Sequence, residues 1–478
     1  MAATRVAQGL CDRGVQPGDR VAILAGTSLA FPVVALGVLK SGATLLPLNF
    51  RYQVEELAWV LADARPSLLF VESSYQELAR AALAANALSV PLVPIPGATD
   101  PENWSWLDFA AGGAARTLPG HLDPESAAAL MYTSGTTGRP KGVLFPHRSY
   151  FATFHALIVE GDIQPGETTL VNMPLFHQAG LFAMVLPTWM RGGTVVLGAG
   201  SFDPAQVLQA VQEQRITLTM WVPTMLARLL DAPGLDRYDL SSLGKIYYGS
   251  APMGGALYAR ARAAFPARFY QWYGLTETGL NAILRPEDHV AHAGCTGREV
   301  FNCELRIVDG EREVGIGEAG ELQVAAGPHG MIGYLGQPEA TAETLRDGWI
   351  RTGDVARREA GGLFTIVDRS KDMIISGGEN IYPREVEDVL RGHPAVADVA
   401  VFGVPDAIYG EAVCAAIVRG DGGDPSPAEL MQYCTARLAS YKKPKRVVFL
   451  TELPRNAMGK VAKGVLRAPY WQGRERQV

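Results

Sequence analysis

From Arg20 onward the chain alternates short apolar runs with stretches of helical period, and this alternation confines it to a layered α/β architecture. Val21–Ala25, Ala43–Leu48, Ser67–Val71 and Val90–Ile95 read as strands, with Leu29–Lys40, Val54–Ala64 and Gln76–Ala85 as the helices between them. Strands separated by helices in this way pair in a mostly parallel sheet. The pattern resumes further on. Thr169–Met173, Thr194–Leu197, Leu218–Val222, Lys245–Tyr248 and Phe269–Gly274 are strand-like, and Gly180–Met190, Pro204–Gln214 and Met225–Leu230 are helical. Pro223 opens the last of these, since a first-turn residue has no helical use for its N–H.

The texture changes near Gly294, where glycines are frequent and the strands (Glu304–Val308, Gly320–Val324, Leu363–Val367) are short. After Arg369 a new unit begins: Met373–Ser376, Val396–Val404, Ala412–Val418 and Arg446–Leu450 are extended, Pro383–Leu390 and Ala428–Ala439 helical. A chain of 478 residues exceeds one ordinary core. The expected organisation is a large N-terminal domain over 1–368, with a β-rich subdomain from about 294 to 368, and a small α+β domain over 369–478.

Composition excludes several classes. Lys plus Arg number 43 against 49 Asp plus Glu, giving −6, with no basic run of nucleic-acid type. The densest basic stretch, Tyr441–Arg446, reads either as a solvated turn or as a contact for a small anion. Five scattered cysteines (Cys11, Cys295, Cys303, Cys414, Cys434) without metal-ligand spacing suit a reducing compartment. The apolar run Ala179 to Met190 falls short of the ~20 residues that span a bilayer. The N-terminus lacks a signal peptide's apolar region, so the expected location is cytoplasmic.

One loop stands out. Tyr132-Thr133-Ser134-Gly135-Thr136-Thr137-Gly138-Arg139-Pro140-Lys141-Gly142 joins two apolar runs. Glycines let several N–H groups converge on one anion; the hydroxyls add donors and Lys141 a positive charge. In composition this is a phosphate cradle. It lacks the Walker spacing, in which a Gly-Lys-Ser/Thr opens a helix. Alone, the loop reads equally as a flexible surface segment.

Four further segments remove that ambiguity: Tyr273-Gly274-Leu275-Thr276-Glu277-Thr278, Arg351-Thr352-Gly353-Asp354, Asp368–Asn380, and Pro454-Arg455-Asn456-Ala457-Met458-Gly459-Lys460. Together, and in this order, they resemble the adenylate-forming superfamily, which includes acyl-CoA synthetases, firefly luciferase and peptide-synthetase adenylation domains. The resemblance covers about Arg20 to Arg467 and implies a mobile C-terminal domain. It also implies a two-step reaction: a carboxylate attacks the α-phosphorus of ATP, then a thiol displaces AMP. Such transfers need alignment and charge neutralisation more than covalent help.

By that resemblance Thr133, Ser134, Gly135, Thr136, Thr137, Gly138 and Lys141 hold the departing phosphates. Thr276 meets the α-phosphate, and Glu277 holds Mg²⁺, a hard cation suited to carboxylate oxygen. Asp354 and Arg369 take the ribose. Gly249, Ser250, Ala251, Pro252, Tyr273 and Gly274 wall the adenine. Lys460 serves the first step only, and Lys371 is the hinge about which the small domain turns to present Gly377 and Gly378 to the pantetheine of coenzyme A. Taken singly, Glu277 also reads as a helix-start acid, and Asp354 with Arg369 as a surface ion pair.

Within the superfamily, Pro174-Leu175-Phe176-His177-Gln178 places histidine where amino-acid-activating domains usually carry aspartate, so a free amino acid is disfavoured. The motif resembles that of fatty-acyl and cinnamate- or ferulate-type CoA ligases. His177, Gln178, Trp221, Tyr248, Tyr247, Gly249 and Gly274, with Leu280, are the expected acyl pocket. Tyr247 and Tyr248 point to opposite faces of a strand, so at most one faces substrate; His177 reads alternatively as a core histidine. No arginine stands out to pair a second carboxylate. Asp368 stands where the family often has glycine. The chain starts within what the family has as its first helix and ends at Val478 without a carrier domain, which fits free CoA as acceptor. The resemblance also carries an expectation of a homodimer. Rival readings are a ligase that loads a carrier protein, a non-catalytic nucleotide sensor and an ADP-releasing phosphotransferase.

Overall fold

The computed structural model describes residues 1–98, 100, 103, 105–110, 118–133, 140–198, 200–250, 253–292, 294–369, 372–376, 379–406, 408–455 and 460–472. The chain forms two compact units. One comprises Met1–Ala293, Gly297–Leu305 and Val324–Arg351; the other Gly294–Thr296, Arg306–Gln323 and Thr352–Val478. The division runs through the glycine-rich β stretch.

The first unit is built on two seven-stranded sheets. In the first sheet, Arg20–Leu24 lies centrally, parallel to Thr44–Pro47 and Leu68–Glu72. Val21 to Leu24 are wholly buried, as expected of a strand covered on both faces by helices. Ala127–Thr133 extends this sheet in parallel, and Lys141–Pro146 then Gly333–Tyr334 add antiparallel strands at its edge. In the second sheet, Thr194–Leu197, Thr168–Val171, Leu218–Met220, Lys245–Gly249 and Arg268–Leu275 are parallel, and Gly279–Leu284 with Arg298–Glu299 close it antiparallel.

Helices sit where apolar period and caps direct them. Val54–Ala64 opens with a reciprocal Gln53/Glu56 capping box. The stretch expected as one helix over Gly180–Met190 is instead a π-helical Ala179–Val185 continued by an α-helical Leu186–Met190. Pro187 accounts for the irregularity, having no N–H to give the preceding turn. His147–Glu160, which the sequence pattern did not single out, is a helix of 14 residues.

In the second unit Val396–Asp406 and Gly410–Arg419 form a long hairpin, flanked by Ile374–Ser376 and Arg446–Leu450. Helices Pro383–Arg391 and Pro427–Thr435 cover one face through Val386, Leu390 and Leu430. The other face, with Phe402, Val404 and Cys414, is covered by Leu453, Val461, Leu466 and Tyr470. Val461, directly after Lys460, is thus part of that unit's core packing. A further sheet, in the order Arg312–Glu313, Leu305–Asp309, Ala319–Ala325, Trp349–Arg358, Leu345–Arg346, carries Phe364–Arg369 against Trp349–Arg358. Among the described residues no helix is long and apolar enough to cross a membrane.

Candidate active site

The Gly/Thr loop does join two strands. Register places Thr133 opposite Lys141 and Tyr132 opposite Gly142, so the loop's ends are clamped together. Ser134, Gly135, Thr136, Thr137 and Gly138 lie outside the described residues. Tyr132 anchors the near end by donating to Asp63 at 2.5 Å. A Cβ at residue 142 would lie 2.9 Å from Leu130 and 3.1 Å from the Tyr132 ring, which explains a glycine directly after Lys141.

Lys141 does not stand alone. Its Nζ lies 4.9 Å from the centre of the Tyr334 ring, and the Tyr334 hydroxyl donates to Glu277 Oε1 at 3.0 Å. Strand pairing enforces this meeting. Gly333–Tyr334 pairs with Val143 and Leu144, Leu335 N donates to Gly142 O, and Met331 N donates to Glu277 O. Burial raises the Tyr334 pKa, and the Glu277 carboxylate adds to the rise. The hydroxyl therefore stays a donor to Glu277 at any working pH. Tyr334 was not an expected site residue; no local spacing ties it to Lys141 or Glu277.

Glu277 stands at no helix start. Arg268–Leu275 turns back into the antiparallel Gly279–Leu284, and Thr276 and Glu277 sit half-buried in the tight turn between them. Thr278 and Asn281, both fully buried, fix that turn by reciprocal hydrogen bonds of 2.6 and 3.0 Å. Gly274 admits no side chain: a Cβ there would lie 1.9 Å from Gly279 O. Alongside, Gly249 ends its parallel strand with a would-be Cβ 2.5 Å from Trp272 O. Ser250 follows at φ +64°, a left-handed conformation costly for a non-glycine residue and typical of ligand-facing turns. Gly249, Ser250, Tyr273 and Gly274 thus share the carboxyl edge of the second sheet, where α/β folds bind ligands. Ala251 and Pro252 lie outside the described residues.

His177 sits half-buried in the turn before the π-helix, its Nδ1 accepting from Ala179 N at 3.2 Å. Beside it Gln178 Nε2 is buried without a partner among the described residues, a donor whose desolvation a ligand oxygen would offset. Within the π-helix that follows, Phe182 stacks on Tyr150 at 3.8 Å. Two more of the expected residues sit in a core cluster. Trp221 is wholly buried, with Nε1 3.5 Å from Asn172 Oδ1 and its ring against Phe265. Tyr248 shares that core and already donates to Gln271 Oε1 at 2.9 Å, with His289 Nε2 at 3.0 Å. Tyr247 faces the other side and donates to Gly161 O. All three are core side chains with occupied polar ends. Leu280 is buried opposite Gly274.

In the second unit, Asp354 and Arg369 face each other across antiparallel strands, Nε to Oδ1 at 2.5 Å. The carboxylate is almost fully buried, while the guanidinium is 39% exposed. The pair is no loose surface contact. Lys371, Gly377 and Gly378 lie outside the described residues, and Lys460 is exposed, next to Val461, which is bridged to Arg455.

No group of three or more His, Cys, Asp or Glu among the described residues is arranged to hold a metal. Glu277 fits Mg²⁺ in another way: this cation takes one or two carboxylates and completes its shell with water and substrate phosphates.

A phosphate-type loop, a lysine and a carboxylate joined through one tyrosine, and a glycine-lined sheet edge define a nucleotide-handling α/β enzyme with a separate C-terminal domain. The chain matches the AMP-binding enzyme family over residues 1–335 and that family's C-terminal domain over 385–460. It belongs to this family, as an adenylate-forming enzyme of the acyl-CoA synthetase type. It is 42% identical over 468 residues to a feruloyl-CoA synthase of Amycolatopsis sp, covering 98% of this chain and 92% of that protein. It is 38% identical to the fatty acid–[acyl-carrier-protein] ligase ScoC of Streptomyces coeruleorubidus, covering 100% of this chain and 91% of the relative. The fold resembles ATP-bound MatB from Rhodopseudomonas palustris with a TM-score of 0.90 and 33% identity, over 98% of this chain and 92% of that one. These similarities support acyl- or aryl-CoA ligase activity, with a small carboxylic acid, ATP and CoA as its substrates.

Proposed function

We propose that this protein joins an apolar carboxylic acid, aryl of the cinnamate type or medium- to long-chain fatty, to coenzyme A with release of AMP and pyrophosphate. The observation that carries the reading is the Lys141–Tyr334–Glu277 linkage beside the phosphate loop. It sets a cation and a carboxylate at one end of the triphosphate's expected path, as an ATP-cleaving site requires.

The substrate carboxylate attacks the α-phosphorus while pyrophosphate leaves toward Ser134–Gly138 and Lys141. Thr276 donates to the α-phosphate. Glu277, oriented by Tyr334, holds Mg²⁺, which supplies charge neutralisation when bound. Asp354 accepts from the ribose hydroxyls with Arg369 in support, and Gly249, Ser250 and Gly274 let the adenine approach backbone. Lys460 adds positive charge in this first step. The C-terminal domain then turns at Lys371 and brings Gly377 and Gly378 to the pantetheine, whose thiolate displaces AMP. His177 and Gln178 border the acyl group, and the apolar wall with Phe182 and Tyr150 favours an aromatic or alkyl chain.

The test incubates protein, ATP, Mg²⁺ and CoA with benzoates, cinnamates, ferulate and fatty acids of several lengths. AMP and pyrophosphate should appear only with both an accepted acid and CoA. ADP release, or no turnover with any acid, would overturn the reading. The similarity to ScoC favours one second reading, a carrier-protein thiol as acceptor; a holo carrier protein in place of CoA decides between them.

A further inference from the structure

Three residues beyond Lys460 the chain buries a second lysine. Lys463 Nζ lies 2.7 Å from Glu387 Oε1, and the two side chains are only 16% and 8% exposed. Glu387 stands on the helix Pro383–Arg391, and the same Oε1 accepts Val401 N at 2.8 Å. Burial works against both charges, yet each stays charged: Lys463 and Arg391 hold Glu387 below the usual carboxylate range, and Glu387 with Asp368 and Asp372 holds Lys463 above its usual value.

Further contacts fix the described chain on either side of this point, directly next to Lys460. Arg455 and Val461 are bridged, and Ala462 N donates to Pro454 O at 2.8 Å. Arg455 pairs with Asp398 on the central hairpin. Lys463 opens the short helix Lys463–Arg467, whose last residue lies 3.6 Å from Asp372. Lys463 is the cation among these anchors held by the most buried carboxylate, Glu387. Removing one partner of such a pair leaves the other uncompensated, so the pair helps to fix the chain from Lys460 to Lys463.

Asp368 joins the same network from the linker side. Its two oxygens accept Arg369 N at 2.7 Å and Arg384 N at 2.8 Å, and its charge is felt by Lys463. Arg384 in return donates to Ile366 O at 2.7 Å. The position that often carries glycine in the family thus links the segment before residue 371 to the helix that anchors Lys463.

We propose that Lys463, held by Glu387, is a positioning residue: it sets the Lys460 ammonium for the adenylating half-reaction without touching substrate. This rests on the reading that Lys460 serves that step.

The test separates the two half-reactions. Lys463→Met should slow acid-dependent ATP–pyrophosphate exchange by up to about a hundredfold, the cost of a ~1 Å misplacement of a reacting group's partner. The conversion of supplied acyl-adenylate to thioester should be unchanged. Lys463→Arg should restore most of the exchange. Glu387→Gln keeps an oxygen for Val401 N–H and should show the same split, so it carries the test if Lys463→Met does not fold. Normal exchange in Lys463→Met or Glu387→Gln, or equal loss of both half-reactions, overturns the proposal. Lys460→Ala is assayed in parallel. Normal exchange there would defeat the reading of Lys460 itself and the proposal with it. Its loss there, with normal exchange in Lys463→Met, would defeat only the positioning role.

Discussion

Tyr334 serves two partners at once, its ring receiving the Lys141 ammonium and its hydroxyl orienting the Glu277 carboxylate. Tyr334→Phe keeps the first and deletes the second. A hydrogen bond to a charged group is worth about 1.5–3 kcal/mol, so pyrophosphate exchange should fall by roughly tenfold or more. Thermal stability should stay close to wild type, since the ring remains packed. An unchanged rate would show that Glu277 needs no such support. Lys141 and Glu277 could be named from motifs in the sequence, and the structure brings both to Tyr334. Tyr334 could not be, because it reaches them through cross-strand pairing that no local spacing encodes. Trp221, expected at the acyl pocket, has its side chain in the same core cluster as Tyr248. Side-chain direction at a strand end depends on packing that the linear pattern does not carry.

Among the elements, the segment 327–335 matters most to the site, because it delivers Tyr334. It is tied to the helix His147–Glu160: Arg148 donates to Gly327 O and Ser149 Oγ to Gly330 O at 2.7 Å. His329, wholly buried, lies with Nε2 2.9 Å from Asn302 Oδ1. Burial, helped by the Arg148 charge, lowers the His329 pKa to about 4. The folded value lies below the unfolded one, so the unfolded chain binds the extra proton between about pH 6.5 and 4. The contribution is complete above pH 6.5 and lost as pH falls through that window. Urea midpoints should therefore drop as pH is lowered across it, and His329→Gln should flatten the slope without abolishing it. His147 and His289, also lowered by burial, act in the same direction. A slope identical in the variant would remove His329 as its source. The helix that receives this segment escaped the sequence pattern for a physical reason. Its buried face uses Ser149, Thr153 and Ala156 beside aromatics, while Phe151 and Val159 are 54% and 61% exposed, which blurs the apolar period. The strands Arg20–Leu24 and Thr194–Leu197 were plain because whole apolar runs with turn signals at both ends leave few alternatives.

At the scale of the whole molecule, the proposed two-step function makes opposite demands on one chain. Adenylation needs positive charge near the α-phosphate, and thioester formation needs that space for a thiol. A single fixed arrangement serves one at the expense of the other, so a domain that turns between the half-reactions resolves the conflict. The proposed pivot, Lys371, follows Arg369 directly after the strand that pairs Asp354, so the ribose contact and the pivot are nearly contiguous in the chain. Two variants separate the demands. Lys460→Ala should lose adenylate formation yet convert supplied acyl-adenylate to thioester at close to the wild-type rate. Lys371→Pro should do the reverse, because proline fixes φ near −65° and stiffens the pivot. Single-turnover measurements of each half-reaction read both outcomes. If Lys371→Pro makes thioester normally, rotation about that residue is not required and the pivot lies elsewhere. If both variants lose both steps together, the two half-reactions share one arrangement, and the conflict between them must be resolved by the ligands themselves.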